Sequence, residues 1–282
     1  MGSSDPLVHI EAATLPGGDT NQDRYAYGDG WAFVLDGASS FSSTTPVHDG
    51  GWYAERLKKA LVRRLRGAGS AVPSDDVVAR SIEAAASAHD SHTQGSCPTS
   101  TIALVRWDSQ WVELYVLGDS ACVLVDSAGT VSFLTDDRIK RTGASIRTQA
   151  YERLKDGSGF DETHQQLMAQ LQTEQKRNRN QTGGYWIAGD LADAAMYGLR
   201  YETARSAVAT LLLATDGISA VGGIEALQLA ADPGSNLTQA LRQAHLLEEW
   251  DPQAKHRPRS KVHDDKTAVR VEFERPSALL TG

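Results

Sequence analysis

The chain is poor in cysteine and has no long apolar segment. Its 282 residues include only two cysteines, Cys97 and Cys122, and no C-x-x-C pair. Because secreted domains usually carry more cysteines, we expect both thiols to be reduced and the protein to be cytoplasmic. The first six residues, MGSSDP, have neither the basic charge nor the apolar run that would predict a signal peptide. The apolar runs have the length of a strand, as at residues 210–214, and a bilayer-spanning helix needs about 20 apolar residues.

The chain also has fewer basic than acidic residues, and this argues against nucleic acid or an anionic membrane as a partner. The chain has 28 Lys and Arg against 36 Asp and Glu, which gives a net charge of −8. Nucleic acids and anionic membranes attract basic surfaces, so we expect neither as a partner. The histidines show no H-x-x-x-H or H-E-x-x-H spacing, and this pattern predicts no zinc site. With 40% hydrophobic and 23% charged residues, the composition is typical of a folded globular protein.

Short apolar or alternating runs between turn residues predict strands. They occur at residues 7–13, 24–27, 31–35, 101–107, 111–117, 121–126, 130–134, 185–188, 195–200, 210–214 and 267–273. Apolar residues at helical spacing predict helices at residues 52–66, 75–94, 224–231 and 237–250. Ser74 is the predicted N-cap of the second helix, and Ser235 or Asn236 that of the fourth. Hairpin-sized links join the four strands between residues 101 and 134, so we expect an antiparallel meander there.

The order of these elements predicts an α+β fold in which helices cover the outside of an antiparallel double sheet. Residues 137–184 interrupt the pattern because they are polar, rich in Gln and Arg, and weakly helical around residues 162–175. We interpret this stretch as a flap or lid. The chain is then a single domain, 1–282, with its core at about residues 7–136 and 185–275.

Carboxylates stand at the ends of several predicted strands. They are, in chain order, Asp23, Asp36, Asp119, Asp216 and Asp264 with Asp265. One Asp-Gly alone is most simply a turn, because Asp bonds its own backbone and Gly accepts a positive φ. The ordered set indicates instead that the carboxylates converge on one sheet edge, where they would repel one another unless cations held them. Sites made of oxygen ligands select hard divalent ions such as Mg²⁺ or Mn²⁺.

These stretches resemble the motifs of the protein phosphatase 2C (PPM) family, especially its bacterial branch. The matching segments, in family order, are NQDR at 21–24, VLDG at 34–37, TST at 99–101 with VLGDS at 116–120, LATDGI at 213–218 and DDKTAV at 264–269. The resemblance covers roughly residues 7–273. It implies an αββα sandwich, in which two antiparallel sheets pack face to face between helix pairs. It also implies a metal-dependent hydrolase of phosphate monoesters.

The resemblance assigns a role to each carboxylate. It implies that Asp36 bridges two Mg²⁺ or Mn²⁺ ions and that the carbonyl of Gly37 binds one of them. Asp216 and Asp264 would complete the shell of the other ion, and Asp119 would belong to a third, weaker metal site. A water between the two ions would attack phosphorus in line, with Asp23 orienting metal-bound waters. Asp36 and Asp23 are therefore the expected catalytic residues.

Three positions depart from the family pattern. Gln22 stands where many members have Glu, and Ala38 replaces the His that follows Asp-Gly in eukaryotic members. Gly18 stands where the family has an Arg that grips phosphate. Candidate replacements are Arg24, Arg177, Arg179 and Arg259, together with Lys176 and the loop residues Lys255, Arg257 and Lys261. Each of these side chains has an alternative interpretation as an ordinary solvated charge.

The substrate stays open at this point. Family habit favours a phosphoserine or phosphothreonine protein, and the missing Arg leaves room for a phosphorylated small molecule. A catalytically weak binding or regulatory module is the alternative function. Pseudo-enzymes typically lose an aspartate, whereas Asp36, Asp119, Asp216 and Asp264 are all present, and this favours an active enzyme. We expect the protein to be a monomer.

Overall fold

The computed structural model describes residues 7–38, 48–69, 72–89 and 97–274. The strands are β1 (Val8–Leu15), β2 (Arg24–Gly28), β3 (Trp31–Leu35), β4 (Gly37–Ala38), β5 (Thr99–Ser100), β6 (Ile102–Trp107), β7 (Trp111–Leu117), β8 (Ala121–Asp126), β9 (Val131–Thr135), β10 (Leu199–Ala204), β11 (Val208–Ala214) and β12 (Lys266–Phe273). The helices are α1 (Gly50–Leu65), α2 (Ser74–Ala86), α3 (Arg138–Arg141), α4 (Ala144–Lys155), α5 (Glu162–Asn178), α6 (Asp216–Ala231) and α7 (Leu237–Trp250). Short 3₁₀ turns lie at Ala192–Tyr197 and Arg205–Ala207.

Two five-stranded antiparallel sheets form the centre of the protein. One has the order β1-β12-β11-β8-β9 and the other has the order β10-β7-β6-β3-β2. Successive residues of a strand point to opposite faces, so each central strand contributes to two apolar layers. In β3, Val34 packs between the sheets with residues such as Leu213 of β11. Its neighbour Phe33 packs on the outer face, against residues such as Leu57 of α1.

Helix pairs cover the two outer faces. Helices α1 and α2 place apolar side chains on the sheet that contains β3, and Leu61 and Ile82 are fully buried there. Helices α6 and α7 do the same on the other sheet through Leu227 and Leu241. The predicted αββα sandwich is therefore confirmed. None of the described helices is long and apolar enough to cross a membrane.

The predicted meander of four strands is wrong, and the difference positions the site. Strand β7 pairs with β6 and β10, whereas β8 pairs with β9 and β11 in the opposite sheet. The link at residues 118–120 therefore carries the chain from one sheet to the other. Gly118 permits the sharp turn because its φ is +87°, where other residues are strained. Both strands are buried on both faces, so their apolar pattern does not distinguish a hairpin from a crossing between sheets.

Other predicted boundaries also change. Ser74 is the first residue of α2 rather than its N-cap, which is Pro73, and the Ser74 hydroxyl donates to Glu113 at 2.5 Å. Helix α2 ends at Ala86, and residues 90–94 of the predicted helix lie outside the described part of the chain. Residues 185–188 make isolated bridges instead of a strand. Helix α6 begins at residue 216, eight residues before its predicted start, and contains a kink at Gly223.

The interruption at residues 137–184 contains three helices, α3, α4 and α5, and α4 packs against α5. Polar contacts attach this segment to the rest of the protein. The Arg138 guanidinium donates to the carbonyl of Tyr197 at 2.6 Å, and Arg179 donates to the carbonyl of Cys97 at 3.2 Å. The stretch is thus more helical than its sequence predicts, and its function as a flap stays a prediction.

Candidate active site

Strand ends from both sheets bring the aspartates to one edge of the sandwich. Asp36 follows β3 and Asp119 follows β7, and both strands pair with β6 near its first residue, Ile102. Asp216 follows β11 and Asp264 precedes β12, and the antiparallel pair of Ala214 with Ala268 places these two ends side by side. The edge on which the strand-end aspartates were predicted to converge therefore exists.

The charges of these aspartates act on one another. Loss of hydration raises the pKa of Asp36 well above its ordinary value, and the negative charges of Asp23, Asp216 and Asp264 raise it further. Burial and the charge of Asp216 raise the pKa of Asp264 to about 6. The same two causes raise the pKa of Asp119 to about 7. The site thus holds more negative charge than its surroundings stabilise, and a bound cation would relieve this repulsion.

Among these aspartates, Asp23 has the smallest solvent-exposed fraction. Its side chain is buried, and burial raises its pKa to about 7 although a hydrogen bond from Thr215 opposes the shift. The Thr215 hydroxyl donates to Oδ2 of Asp23 at 2.8 Å and accepts the backbone N–H of Thr267 at 2.9 Å. The backbone N–H of Asp23 donates to the side chain of Asn21 at 2.8 Å. Strands β11 and β12 therefore fix the position of Asp23.

The TST and GDS motifs join the loops that carry Asp36 and Asp119. The backbone N–H of Thr101 donates to the carbonyl of Asp36 at 2.9 Å, and the Thr101 hydroxyl lies 2.5 Å from the hydroxyl of Ser120. Gly37 is required by a close approach, because a Cβ there would lie 2.5 Å from the carbonyl oxygen of Gly50. The start of α1 thus packs directly against the backbone that follows Asp36.

Asp265 holds a neighbouring loop in place, because both of its carboxylate oxygens accept hydrogen bonds from backbone N–H groups. Its two carboxylate oxygens accept the backbone N–H groups of Gly17 and Gln22 at 2.8 Å and 2.7 Å. These bonds hold the loop between β1 and β2 against residues 264–265. A Cβ on Gly17 would lie 2.6 Å from the carbonyl oxygen of Asp264, so only glycine fits at this contact. The sequence gives no signal for this role, because Asp264 and Asp265 are adjacent and chemically identical.

Among the described salt bridges, Lys261 is the basic side chain that contacts one of the site aspartates. Its Nζ is 2.7 Å from Oδ1 of Asp264. Partial loss of hydration opposes its charge, but the negative charges of Asp264, Asp36 and Asp216 prevail and raise the lysine pKa. The lysine side chain is 63% exposed, so it stands where the cluster opens to solvent. In the sequence Lys261 is only one of several basic candidates in its loop.

The four arginines predicted to bind substrate have other partners. Arg24 contacts Glu55 at 3.0 Å and donates to the carbonyl of Asp23 at 2.7 Å. Arg259 is buried, and its guanidinium donates to the backbone carbonyls of residues 248, 251, 257 and 262. Arg179 contacts the carbonyl of residue 97, and Arg177 is an exposed side chain beside residue 174. Among the described contacts, Arg24 reaches only the backbone of Asp23 and the other three arginines reach none of the site aspartates, so a role of these four in substrate binding stays a prediction.

The donor set fits hard, partly hydrated cations. The expected donors are the carboxylates and the Gly37 carbonyl, and these are the oxygen ligands that Mg²⁺ and Mn²⁺ prefer. Among the described residues, no three of the aspartates have ligand atoms that all lie within 4.8 Å of one another. Mg²⁺ usually keeps several waters and takes only one or two carboxylates, so ligands spaced in this way suit an ion whose shell water completes.

An αββα sandwich with carboxylates from both sheets at one edge is the arrangement expected of a metal-dependent phosphoric monoester hydrolase. The sequence model of the protein phosphatase 2C family matches residues 12–256. The chain therefore belongs to the protein phosphatase 2C family of Mg²⁺- or Mn²⁺-dependent serine/threonine phosphatases. The family predicted from the motifs is confirmed. No curated protein sequence matches the chain.

Solved structures that match this fold include bacterial phosphatases. The catalytic domain of the serine/threonine protein phosphatase PstP, in complex with two manganese ions, has a TM-score of 0.58 at 16% identity and covers 95% of this chain and 99% of that chain. The PPM phosphatase MsPP from Mycobacterium smegmatis, in complex with cacodylate, has a TM-score of 0.57 at 17% identity and covers 96% and 100%. Stp1 from Staphylococcus aureus has a TM-score of 0.56 at 13% identity and covers 96% of each chain. At these identities the similarity shows the fold.

Proposed function

We propose that the protein removes the phosphoryl group from phosphoserine or phosphothreonine in a protein substrate. The observation that carries this proposal is the convergence of Asp36, Asp119, Asp216 and Asp264 from both sheets, with their mutual effect on pKa. A protein substrate is supported by the relatives PstP, which is described as a serine/threonine protein phosphatase, and Stp1, a serine/threonine phosphatase. A phosphorylated small molecule is the other substrate class that the test below separates.

The proposed roles of the aspartates follow from their positions. Asp36, Asp216 and Asp264 would hold two Mg²⁺ or Mn²⁺ ions, with the Gly37 carbonyl as a further ligand, and Asp119 would contribute to a third ion site. Such ions would acidify a bound water for in-line attack on phosphorus and neutralise charge on the phosphoryl oxygens. Asp119 comes from the crossing between the sheets, so this link is proposed to bring the third site into register with the other two.

Asp23 is proposed to orient the attacking water. Thr215 supports this role because its hydroxyl donates to Oδ2 of Asp23 and fixes the direction of the carboxylate. The threonine is a positioning residue, since its hydroxyl acts through Asp23.

Lys261 is proposed to bind the phosphate in place of the family arginine that is absent at Gly18. Its Nζ is charged, exposed to solvent and next to Asp264, so a phosphoryl group that approaches the aspartates meets it. A compact ammonium binds phosphate as a point charge and does not need the two-pronged geometry of a guanidinium. The departure at residue 18 is then compensated from the loop that precedes β12.

The experiment compares para-nitrophenyl phosphate and a phosphothreonine peptide as substrates, with Mg²⁺ or Mn²⁺ and with EDTA. We expect hydrolysis that requires the metal and that falls by more than about 100-fold in Asp36→Asn, since even a residue that only orients a metal ligand is worth about 10–100-fold. Asp19→Asn is the matched control, because Asp19 is an exposed aspartate on a nearby loop.

Full activity in EDTA or in Asp36→Asn would contradict the metal mechanism. Hydrolysis of para-nitrophenyl phosphate without any hydrolysis of phosphopeptides would favour a small-molecule substrate. A lack of activity with every metal and every phosphoester would favour a binding module.

A further inference from the structure

A second cluster of possible metal ligands lies outside the aspartate site. His245 and Glu248 are three residues apart on α7, so they lie on the same face of the helix. His263 comes from the loop before β12 and reaches the same carboxylate. The ligand atoms of His245, Glu248 and His263 all lie within 4.8 Å of one another. The sequence does not predict this group, because His263 lies fifteen positions after Glu248 and eighteen after His245.

The distances in this cluster are those of ligands around one small cation. Nδ1 of His245 lies 3.3 Å from Oε2 of Glu248. Nδ1 of His263 makes a hydrogen bond to the same oxygen at 3.0 Å, and a bound cation would replace this bond. Ligands at about 2.0 Å from a tetrahedral zinc ion lie about 3.3 Å from one another. Nδ1 of His245 is also buried without a hydrogen-bond partner. A buried nitrogen without a hydrogen-bond partner needs an explanation, and a bound ion is one that fits a nitrogen facing a carboxylate oxygen.

Charged side chains next to the cluster contact Glu248 and His245 and fix how these two residues are oriented. The other oxygen of Glu248, Oε1, accepts a hydrogen bond from Nζ of Lys266 at 2.8 Å, whereas Oε2 faces the two imidazoles. Lys266 is fully buried, and its Nζ also donates to the carbonyl of Asp264 at 2.8 Å. Nε2 of His245 faces a carboxylate oxygen of Glu249 at 3.6 Å. A carboxylate behind the second nitrogen of an imidazole is the usual support of a ligating histidine.

We propose that His245, Glu248 and His263 bind one borderline divalent cation of the zinc type. Two imidazoles and one carboxylate suit Zn²⁺, whereas the all-oxygen aspartate cluster suits Mg²⁺ or Mn²⁺. The side chains of His245 and His263 are 24% and 30% exposed, so the ion can enter from solvent and a water can supply a fourth ligand. The bound ion ties helix α7 to the loop that carries Asp264.

Zinc binding is measured by equilibrium dialysis and metal analysis of the full chain, in an excess of Mg²⁺ that competes at the aspartates. The variants are His245→Ala and His263→Ala, and the matched control is His256→Ala, an exposed histidine of the same loop. We expect one zinc equivalent more in the wild type and in His256→Ala than in the two cluster variants, or an affinity at least about tenfold higher. Co²⁺ in place of Zn²⁺ is expected to give visible absorption bands that only the cluster variants lose.

Thermal unfolding gives a second readout. Added Zn²⁺ is expected to raise the Tm of the wild type and of His256→Ala but not that of the two cluster variants, because a ligand that binds the folded state stabilises it. Equal zinc binding in wild type and cluster variants would overturn the proposal, and so would a wild type without zinc. The outcome is separate from that of the proposed function, since Asp36→Asn should lose phosphatase activity and keep this zinc equivalent.

Discussion

Nζ of Lys261 lies 2.7 Å from Oδ1 of Asp264, so an ammonium group stands among the aspartates of the proposed metal site. Loss of hydration disfavours its charge, but the fields of Asp264, Asp36 and Asp216 outweigh this cost and raise its pKa. The lysine therefore stays protonated at neutral pH. Since its side chain is largely exposed, its charge faces any anion that approaches the cluster.

Replacing Lys261 with alanine is expected to weaken substrate binding. A hydrogen bond to a charged group is worth about 1.5–3 kcal/mol, so the KM for a phosphopeptide should rise about tenfold while kcat changes less. Steady-state kinetics at saturating Mg²⁺ measure this split. Lys255→Ala is the matched control, because Lys255 is an exposed lysine of the same loop. An unchanged KM in Lys261→Ala would remove this lysine from the phosphate site.

Replacing Thr215 tests how Asp23 is positioned. Thr215→Val keeps the shape of the side chain but removes the hydroxyl that donates to Oδ2 of Asp23 and accepts the N–H of Thr267. We expect kcat to fall by about 10–100-fold, the usual effect of losing a residue that orients a catalytic ligand.

Thr215→Ser is the matched control, since serine restores the hydroxyl. It should recover most of the activity. If valine and serine gave the same activity, the hydroxyl would have no part in the reaction.

A large part of the fold and of the aspartate site could be predicted from the sequence. Each aspartate motif is local to a strand end, so Asp36, Asp119, Asp216 and Asp264 are visible in the residues on either side of them. Contacts between distant segments could not be predicted in this way. Lys261 differs from Lys255 only through its distance from Asp264, and the link at residues 118–120 crosses between sheets although its length suits a hairpin. The cluster of His245 and His263 likewise depends on how α7 packs beside the loop before β12.

The adjacent glycines Gly17 and Gly18 offer a test of how tightly the site is packed. A Cβ on Gly17 would lie 2.6 Å from the carbonyl oxygen of Asp264, whereas a Cβ on Gly18 meets no atom within 4 Å. Gly17→Ala must therefore displace the backbone of Asp264. We expect Gly17→Ala to raise the Mg²⁺ concentration needed for half-maximal activity and Gly18→Ala to leave it unchanged.

A titration of activity against Mg²⁺ for both variants measures this difference, and circular dichroism checks that each is folded. Equal Mg²⁺ requirements for the two variants would show that the loop between β1 and β2 does not position Asp264. The comparison does not depend on the identity of the substrate, because para-nitrophenyl phosphate suffices as a probe.

The metal-free protein is expected to lose stability as the pH rises from about 4 to about 7. The folded protein holds the pKa of Asp23 and Asp119 at about 7 and that of Asp264 at about 6, against an ordinary value of 3.8. In that window the folded state keeps protons that the unfolded state has released, so a rise in pH favours unfolding. Below this pH range the three carboxyls are protonated in both the folded and the unfolded state. Above it they are ionised in both states, and their repulsion lowers the free energy of unfolding by its full amount.

Urea unfolding at about pH 5 and about pH 7.5, without metal and with Mg²⁺, measures this effect. For the metal-free protein, the urea concentration at the unfolding midpoint should be lower at about pH 7.5 than at about pH 5. Mg²⁺ should raise the midpoint at about pH 7.5, because bound cations stabilise the ionised carboxylates. Asp119→Asn should reduce the pH dependence, since it removes one of the raised groups. A metal-free midpoint that rises with pH and does not respond to Mg²⁺ would mean that the aspartates do not repel one another in the folded protein, and the electrostatic basis of the proposed metal site would be lost.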